Sequence, residues 1–427
     1  MIFILSASLI TVARGIPQGT EEFFVNGLKV IVKPNTANEI NSVNLCLKGG
    51  SLNLEESTQG IEPLIFYSAI KGSEKYATKE VNAILDRTAA SISSSSNRDF
   101  SVVSLRCVRI YFDETWDLFA DAILHPTLAP DQVKLVRETM LVTIRGRKDD
   151  PDTYLNELSM KSFFDDHPYR WNPQGVESSV ANISIERMKA YLRDHLQTSR
   201  LLLVVVGNVN KEDLRKKIET SFGTLPRGDY ASSYPVMKQH VEAKVAVMER
   251  DLPTNYIRGD FSAPSMRDTD YYSMTVAMDI LASRIFEEVR TKRNLSYAPA
   301  AFYSNMFSNL GTIYVTAVSP DTTIRVMMEE LKKMQHEPVT AKDLRASVNT
   351  YLTRYFLNNE TDGAQATFLA RWELSGKGWQ EGEKFVEHLK SVTADDVLRV
   401  ANTHFQHIQF TIIGNPKLID QKVFTSM

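Results

Sequence analysis

Leu201-Leu-Leu-Val-Val-Val-Gly-Asn208 is an unbroken apolar run closed by Gly-Asn, and Gln409-Phe-Thr-Ile-Ile-Gly-Asn415 repeats that ending 207 positions later. A run of branched apolar residues without polar alternation is the pattern of a strand buried on both faces. Each run closes a similar succession of strand-like and helix-like stretches, so the chain reads as an internal duplication of about 200 residues.

Working back from the first run, residues 21–34 read as a hairpin about Asn26-Gly27, the dipeptide best suited to positive φ. A strand at 42–49, a helix at 60–71 and a helix capped by Thr78 follow. Ala90–Ser96 and Phe100–Cys107 flank the turn-like Asn97-Arg98-Asp99, with Ala90–Ser96 at the edge. Helices at 110–124, 131–148, 152–164, 184–196 and 210–222 complete the first set, with Pro130 placed at a helix start. The second set has strands near 243–249, 255–263, 297–304 and 310–318. Its helices lie at 269–283, 320–335, 341–358, 362–375, 379–389 and 394–402, with a short one ending near 293.

Strands interleaved with pairs of helices imply an α+β fold: two homologous domains, each a mostly antiparallel sheet with helices on one face. The Pro-, Gly- and Ser-rich stretch 226–241 is the expected linker between an N-terminal domain, 21–225, and a C-terminal domain, 242–427. Residues 1–20 are set apart. Their apolar start suits a secretory core but lacks a basic lead, so they read as a signal remnant or a disordered start. A periplasmic or secreted location follows if they are a remnant, and a cytoplasmic one otherwise.

At 43% hydrophobic and 24% charged residues, a chain of 427 can bury two sizeable cores. A formal charge of −3 excludes a broad electrostatic attraction to nucleic acid, and no apolar run reaches the ~20 residues of a membrane span. Cys46 and Cys107 are too few for a disulfide framework and read as buried free thiols. His404 and His407 lack a partnered carboxylate or Cys, and His167 reads as structural.

Gly60-Ile-Glu-Pro-Leu-Ile-Phe-Tyr-Ser-Ala-Ile-Lys-Gly-Ser73 has the frame of an H-x-x-E-H zinc-peptidase helix. In that motif two imidazoles ligate zinc and the Glu takes a proton from the bound water. Here the slots hold Pro63, Phe66 and Tyr67, a residue with no donor atom, a residue that cannot act as a base, and a phenol. Together with Asn26–Val32, Met140–Pro151 and Arg284–Tyr297, this stretch makes the chain similar to the pitrilysin and insulin-degrading peptidases, which include the mitochondrial processing peptidase and its bacterial relatives. The resemblance covers nearly the whole chain. It places the family's third zinc ligand, a Glu, at Thr143, and it leaves Glu138 without a role.

With the two His, the Glu ligand and the base all absent, nothing remains to lower the pKa of a water from near ~16 to near ~7. The fourth stretch differs. In active relatives an Arg and a Tyr seven apart bind the substrate backbone near the zinc, and Arg290 and Tyr297 match that pair. A planar guanidinium donates to a peptide carbonyl and a phenol adds one more bond. On spacing alone, Arg290 is a helix-end cation paired with Glu287 or an Asp, and Tyr297 a strand aromatic at the sheet rim. Asn294 stands where the family has Gly, and Asn tolerates the same left-handed turn.

The resemblance therefore implies a chain that is not an enzyme on its own and binds no cofactor itself. It would be the non-catalytic, substrate-binding subunit of a heteromeric zinc metallopeptidase of bacterial type, half of a clamshell. Its homologous partner would hold the zinc, and the substrate would be a peptide or unfolded protein. The edge strand Ala90–Ser96 lies where such a peptide would pair. The alternative is a structural or peptide-holding protein of the same fold with no peptidase partner, like the core subunits of respiratory complexes.

Overall fold

The computed structural model describes residues 19–425 apart from 235 and 238, so the reading of 1–20 as a leader falls, over 1–18, outside the described residues. Asn26 and Gly27 both take positive φ, 46° and 86°. They close the hairpin of β1 (Glu21–Val25) and β2 (Leu28–Pro34). After β3 (Ile40–Lys48) come α1 (Ile61–Ala69), α2 (Thr78–Thr88), β4 (Ser91–Ser96) and β5 (Phe100–Val108). Next are α3 (Phe112–Leu124), α4 (Pro130–Gly146), α5 (Pro151–Phe163), α6 (Glu177–Val180), α7 (Ile185–His195), β6 (Leu201–Gly207) and α8 (Lys211–Glu219). The second half runs β7 (Lys244–Glu249), β8 (Asn255–Ala263), α9 (Tyr271–Ile285), β9 (Ala300–Tyr303), β10 (Asn309–Ala317), α10 (Pro320–His336), α11 (Ala341–Asn358) and α12 (Asp362–Leu374). It ends with α13 (Trp379–Glu383), α14 (Phe385–Ser391), α15 (Ala394–His404), β11 (Gln409–Gly414) and α16 (Gln421–Thr425).

The duplication is explicit in the sheets. The first has the order β1-β2-β6-β3-β5-β4 and the second β7-β11-β8-β10-β9. Removing β1 makes them the same sheet: one parallel pair, β2 with β6 or β7 with β11, and otherwise antiparallel neighbours. The repeated glycines have one packing reason. A Cβ on Gly207 would meet the Asn41 side chain at 2.3 Å, and one on Gly414 would meet the Asn255 side chain at 2.2 Å. Asn41 and Asn255 occupy the same place near the starts of β3 and β8, so each glycine makes room for its Asn.

Each half lends one helix to the other. α12 lies on β3 and β6 of the first sheet, and α5 lies on β8 and β11 of the second. Under α12, Ala366 and Ala370, four apart, let the helix come close, while Leu369, Leu374 and Trp379 cover Ile31, Cys46, Leu202, Val204 and Val206. That is why every residue of β6 is buried. The opposite interface has a polar part, in which Arg258 and Asp260 pair at 2.8 Å and Asp260 is also hydrogen-bonded by Thr312 and by Ser159 of α5, beside an apolar cluster of Met160, Phe163 and Leu310. Cys46 and Cys107 are buried and free.

Three sequence readings are corrected. Glu80, not Thr78, serves the start of α2, its carboxylate accepting from the Ala77 N–H at 2.9 Å. The helix expected at 379–389 is two, α13 and α14, separated at Lys384, with Gly382 tucked against the Trp372 ring. The strand expected at 297–304 begins only at Ala300.

Candidate functional site

Helix α1 begins after Gly60, held at φ 83°, and Pro63 sits in its first turn, where a missing N–H costs no intrahelical bond. Pro63 is buried, and Phe66 is only 1% exposed within the apolar core of the first half. Tyr67 is half-buried and shares with Thr143 of α4 a cavity of about 420 Å³ that Val136, Met140 and Arg147 help to wall. Burial pushes the Tyr67 phenol up, with Arg147 pulling the other way. The Thr143 hydroxyl donates to the Thr139 carbonyl at 3.1 Å.

These groups do not fit a zinc ion. Two of the four slots have no donor atom, one of them filling the core, and the other two offer neutral hydroxyls instead of imidazole or carboxylate. Among the described residues no three His, Cys, Asp or Glu side chains stand together as a metal site. His404 is half-buried and burial pushes its imidazole down. His167 accepts at Nδ1 from the Tyr169 N–H and meets Ser308 through Nε2.

The neighbour of Pro63 carries a group that pattern reading passed over. Glu62 is 3% exposed and its Oε1 meets Arg200 Nη2 at 2.5 Å and the Tyr191 hydroxyl at 2.7 Å, while Ser101 donates to Oε2. Burial by itself would lower the Arg200 guanidinium, but Glu62 and Tyr191 outweigh it and the group is raised. An acid within an otherwise apolar helix start was the available signal, since a buried carboxylate requires a partner.

Arg290 lies beyond α9, in a π-helical turn spanning Phe286–Lys292. Such turns arise where an extra residue is fitted into a helix, often at functional sites. Val289 is buried and anchors the turn, its carbonyl accepting from the Leu295 N–H at 2.8 Å, and Asn294 takes φ 51° as the turn requires. Arg290 Nη1 donates to the Tyr297 main-chain carbonyl at 3.2 Å, and its guanidinium lies 5.0 Å from the Phe286 ring centre and 5.8 Å from that of Tyr297.

The pairing with Glu287 that spacing suggests does not form: Arg290 has no carboxylate at ion-pair distance among the described residues. The nearby Glu288 is taken by Lys292, at 2.6 Å, and by Arg293, which hold its carboxyl at about 2. Tyr297 is not a strand aromatic either. It stands in the loop before β9, 76% exposed. The structure thus brings Arg290 and Tyr297 together at the surface, and neither lines the cavity beside Tyr67. β4 forms one edge of the first sheet, with Ser91, Ser93 and Ser95 exposed.

Comparison with known proteins agrees with this architecture. Residues 29–170 match the sequence model described as insulinase, peptidase family M16, and residues 182–351 match that described as the peptidase M16 inactive domain. An uncharacterized zinc protease of Rickettsia felis is 22% identical over 406 residues, 92% of this chain and 96% of its own length. A protease from Helicobacter pylori superposes with a TM-score of 0.84 at 19% identity, covering 93% of this chain and 99% of that one. A peptidase M16 inactive domain from Pseudomonas fluorescens gives 0.85 at 17% identity, covering 93% and 98%.

Proposed function

The chain belongs to the insulinase, or M16, peptidase family, and we propose that within it this protein is a non-catalytic, substrate-binding subunit which lends Arg290 and Tyr297 to the zinc site of a homologous partner. The observation that carries the reading is the contrast between the two stretches. Around α1 the zinc slots have become core and hydroxyl, whereas the Arg290 guanidinium and the Tyr297 phenol stand at the surface, with no acidic partner among the described residues to neutralise the cation. Relatives described as zinc proteases would make this chain one as well, but Pro63 and Phe66 offer no ligand and no base.

The guanidinium fork suits a substrate carbonyl and the negative charge that develops on it. Zinc, its ligands and the water-activating base would all belong to the partner. Peptide cleavage measured with this chain alone, the zinc-bearing homologue alone, and the two co-expressed tests the assignment. The expected result is cleavage by the pair only. A partner that cuts equally well without this chain overturns it and favours a structural or peptide-holding role for the same fold.

A further inference from the structure

The place where the two halves meet holds a second cavity, of about 420 Å³. Its walls are the equivalent parts of each half: the turn between β4 and β5, the turn between β9 and β10, α5, and Arg371 on α12. Three guanidinium groups face it, those of Arg98, Arg147 and Arg371.

The acids nearby are already engaged. Glu157 pairs with Arg147 at 3.0 Å and accepts from Asn172 at 3.1 Å. Asp99 accepts from the Tyr169 hydroxyl and from the Phe307 N–H, and burial holds its carboxyl above the usual range although those two bonds and the charges of Arg371 and Arg98 pull the other way. Arg98 and Arg371 are each fixed by a single main-chain carbonyl, Arg98 Nε to Tyr169 at 2.8 Å and Arg371 Nη1 to Asn305 at 2.6 Å. Neither has a carboxylate at ion-pair distance among the described residues. Burial pushes the Arg98 guanidinium down to about 10, which reflects a cation withdrawn from water without sufficient counter-charge. Each guanidinium keeps N–H groups free for an anion, and two together suit the two oxygens of a carboxylate.

Arg147 and Gln174 also line the cavity beside Tyr67, so the two spaces adjoin. The cavity beside Tyr67 is walled mainly by Leu135, Val136 and Met140, with Lys71 also in its lining, and by no acidic side chain. A cationic space next to an apolar one calls for a ligand with an anionic end and an apolar group. Ser96, the last residue of the edge strand β4, also reaches the cationic cavity, where its carbonyl accepts from the Gln174 side chain at 2.5 Å; the exposed edge that leads to it, residues 91–95, suits pairing with an extended main chain.

We infer that this chain binds the C-terminal end of a peptide: its terminal carboxylate on Arg98 and Arg371 between the halves, and its apolar last side chain in the cavity beside Tyr67. This deepens the substrate-binding reading, yet it concerns the chain without any partner, so its failure and the failure of the partner experiment are separate results.

The test is fluorescence anisotropy of the purified full chain with a labelled hexapeptide of Ala and Ser ending in Phe, as the free acid and as the C-terminal amide. The expected result is binding of the acid at least about ten-fold tighter than the amide. Arg371→Gln, on the helix surface, should bring the acid to the amide's level, and Arg98→Gln should do the same. Should Arg98→Gln fail to fold by circular dichroism, Arg371→Gln decides. Thr139→Trp, exposed on α4 at the mouth of the apolar cavity, should weaken the Phe-ended peptide and leave an Ala-ended one unchanged. Equal binding of acid and amide, unaltered binding by Arg371→Gln, or inorganic phosphate binding as tightly as the peptide would each overturn the inference.

Discussion

Arg290 Nη1 donates to the main-chain carbonyl of Tyr297 at 3.2 Å, so the two residues at the heart of the proposed substrate contact also hold each other in place. The bond uses one of the five donors of the guanidinium. It also joins the π-helical turn to the loop that carries the phenol.

If that pair acts on substrate, Arg290→Ala should lower kcat/KM of the reconstituted two-chain enzyme by about a hundred- to a thousand-fold, in the range seen when one oxyanion-stabilising donor is removed. Arg290→Lys should not restore it, because an ammonium lacks the planar fork. Tyr297→Phe should lose less, as one hydroxyl. Both side chains are exposed, so thermal unfolding of each variant should match the parent. A variant equal to the parent in kinetics refutes the role.

Glu62 and Arg200 predict a stability effect with no functional step. Removing one member of a buried ion pair leaves the other charge uncompensated, at a cost of about 3–5 kcal/mol. Glu62→Leu should show that loss in urea unfolding, and Glu62→Leu combined with Arg200→Met should recover much of it. A single variant with an unchanged midpoint would mean that water replaces the pair.

Cys46 lies in the interface where α12 covers the first sheet, and burial pushes its thiol up to about 12. Since the thiolate is the reactive form, the native chain should resist a thiol reagent at pH 8 and react only on unfolding. Leu369→Ala, which loosens α12, should accelerate labelling before global unfolding begins. Rapid labelling of the parent would show that α12 opens freely.

The His404 imidazole is held below its usual value of about 6.5 by burial at the end of α15. The unfolded chain therefore takes up the proton more readily, and this histidine's contribution is present above about pH 6.5 and is lost as pH falls through its folded value. His404→Gln should flatten the decline in stability between about pH 7 and pH 5. A steeper decline in the variant would reverse the sign.

Much of the fold was legible along the chain because periodicity is a local property. The hairpin at Asn26-Gly27, the strand at Leu201–Gly207 and the helices starting at Pro130 and Pro320 are each set by residues within a few positions of one another. The errors fell where distant contacts decide. Gly382 against the Trp372 ring shapes the stretch expected to be one helix, and Tyr297 stands outside the strand because the π-helical turn places it in the preceding loop. Glu62 was overlooked since its partner is Arg200, far along the chain.

By itself the sequence determined the duplicated α+β plan, the absence of ligand atoms at Pro63 and Phe66, and the presence of Arg290 and Tyr297, because side-chain chemistry and period are written residue by residue. Only the tertiary structure decided that α12 covers the first half's sheet and α5 the second half's, and that Arg98 and Arg371 face one cavity between the halves. Which surfaces meet depends on the summed burial and shape of residues from both halves. No window of sequence contains that sum.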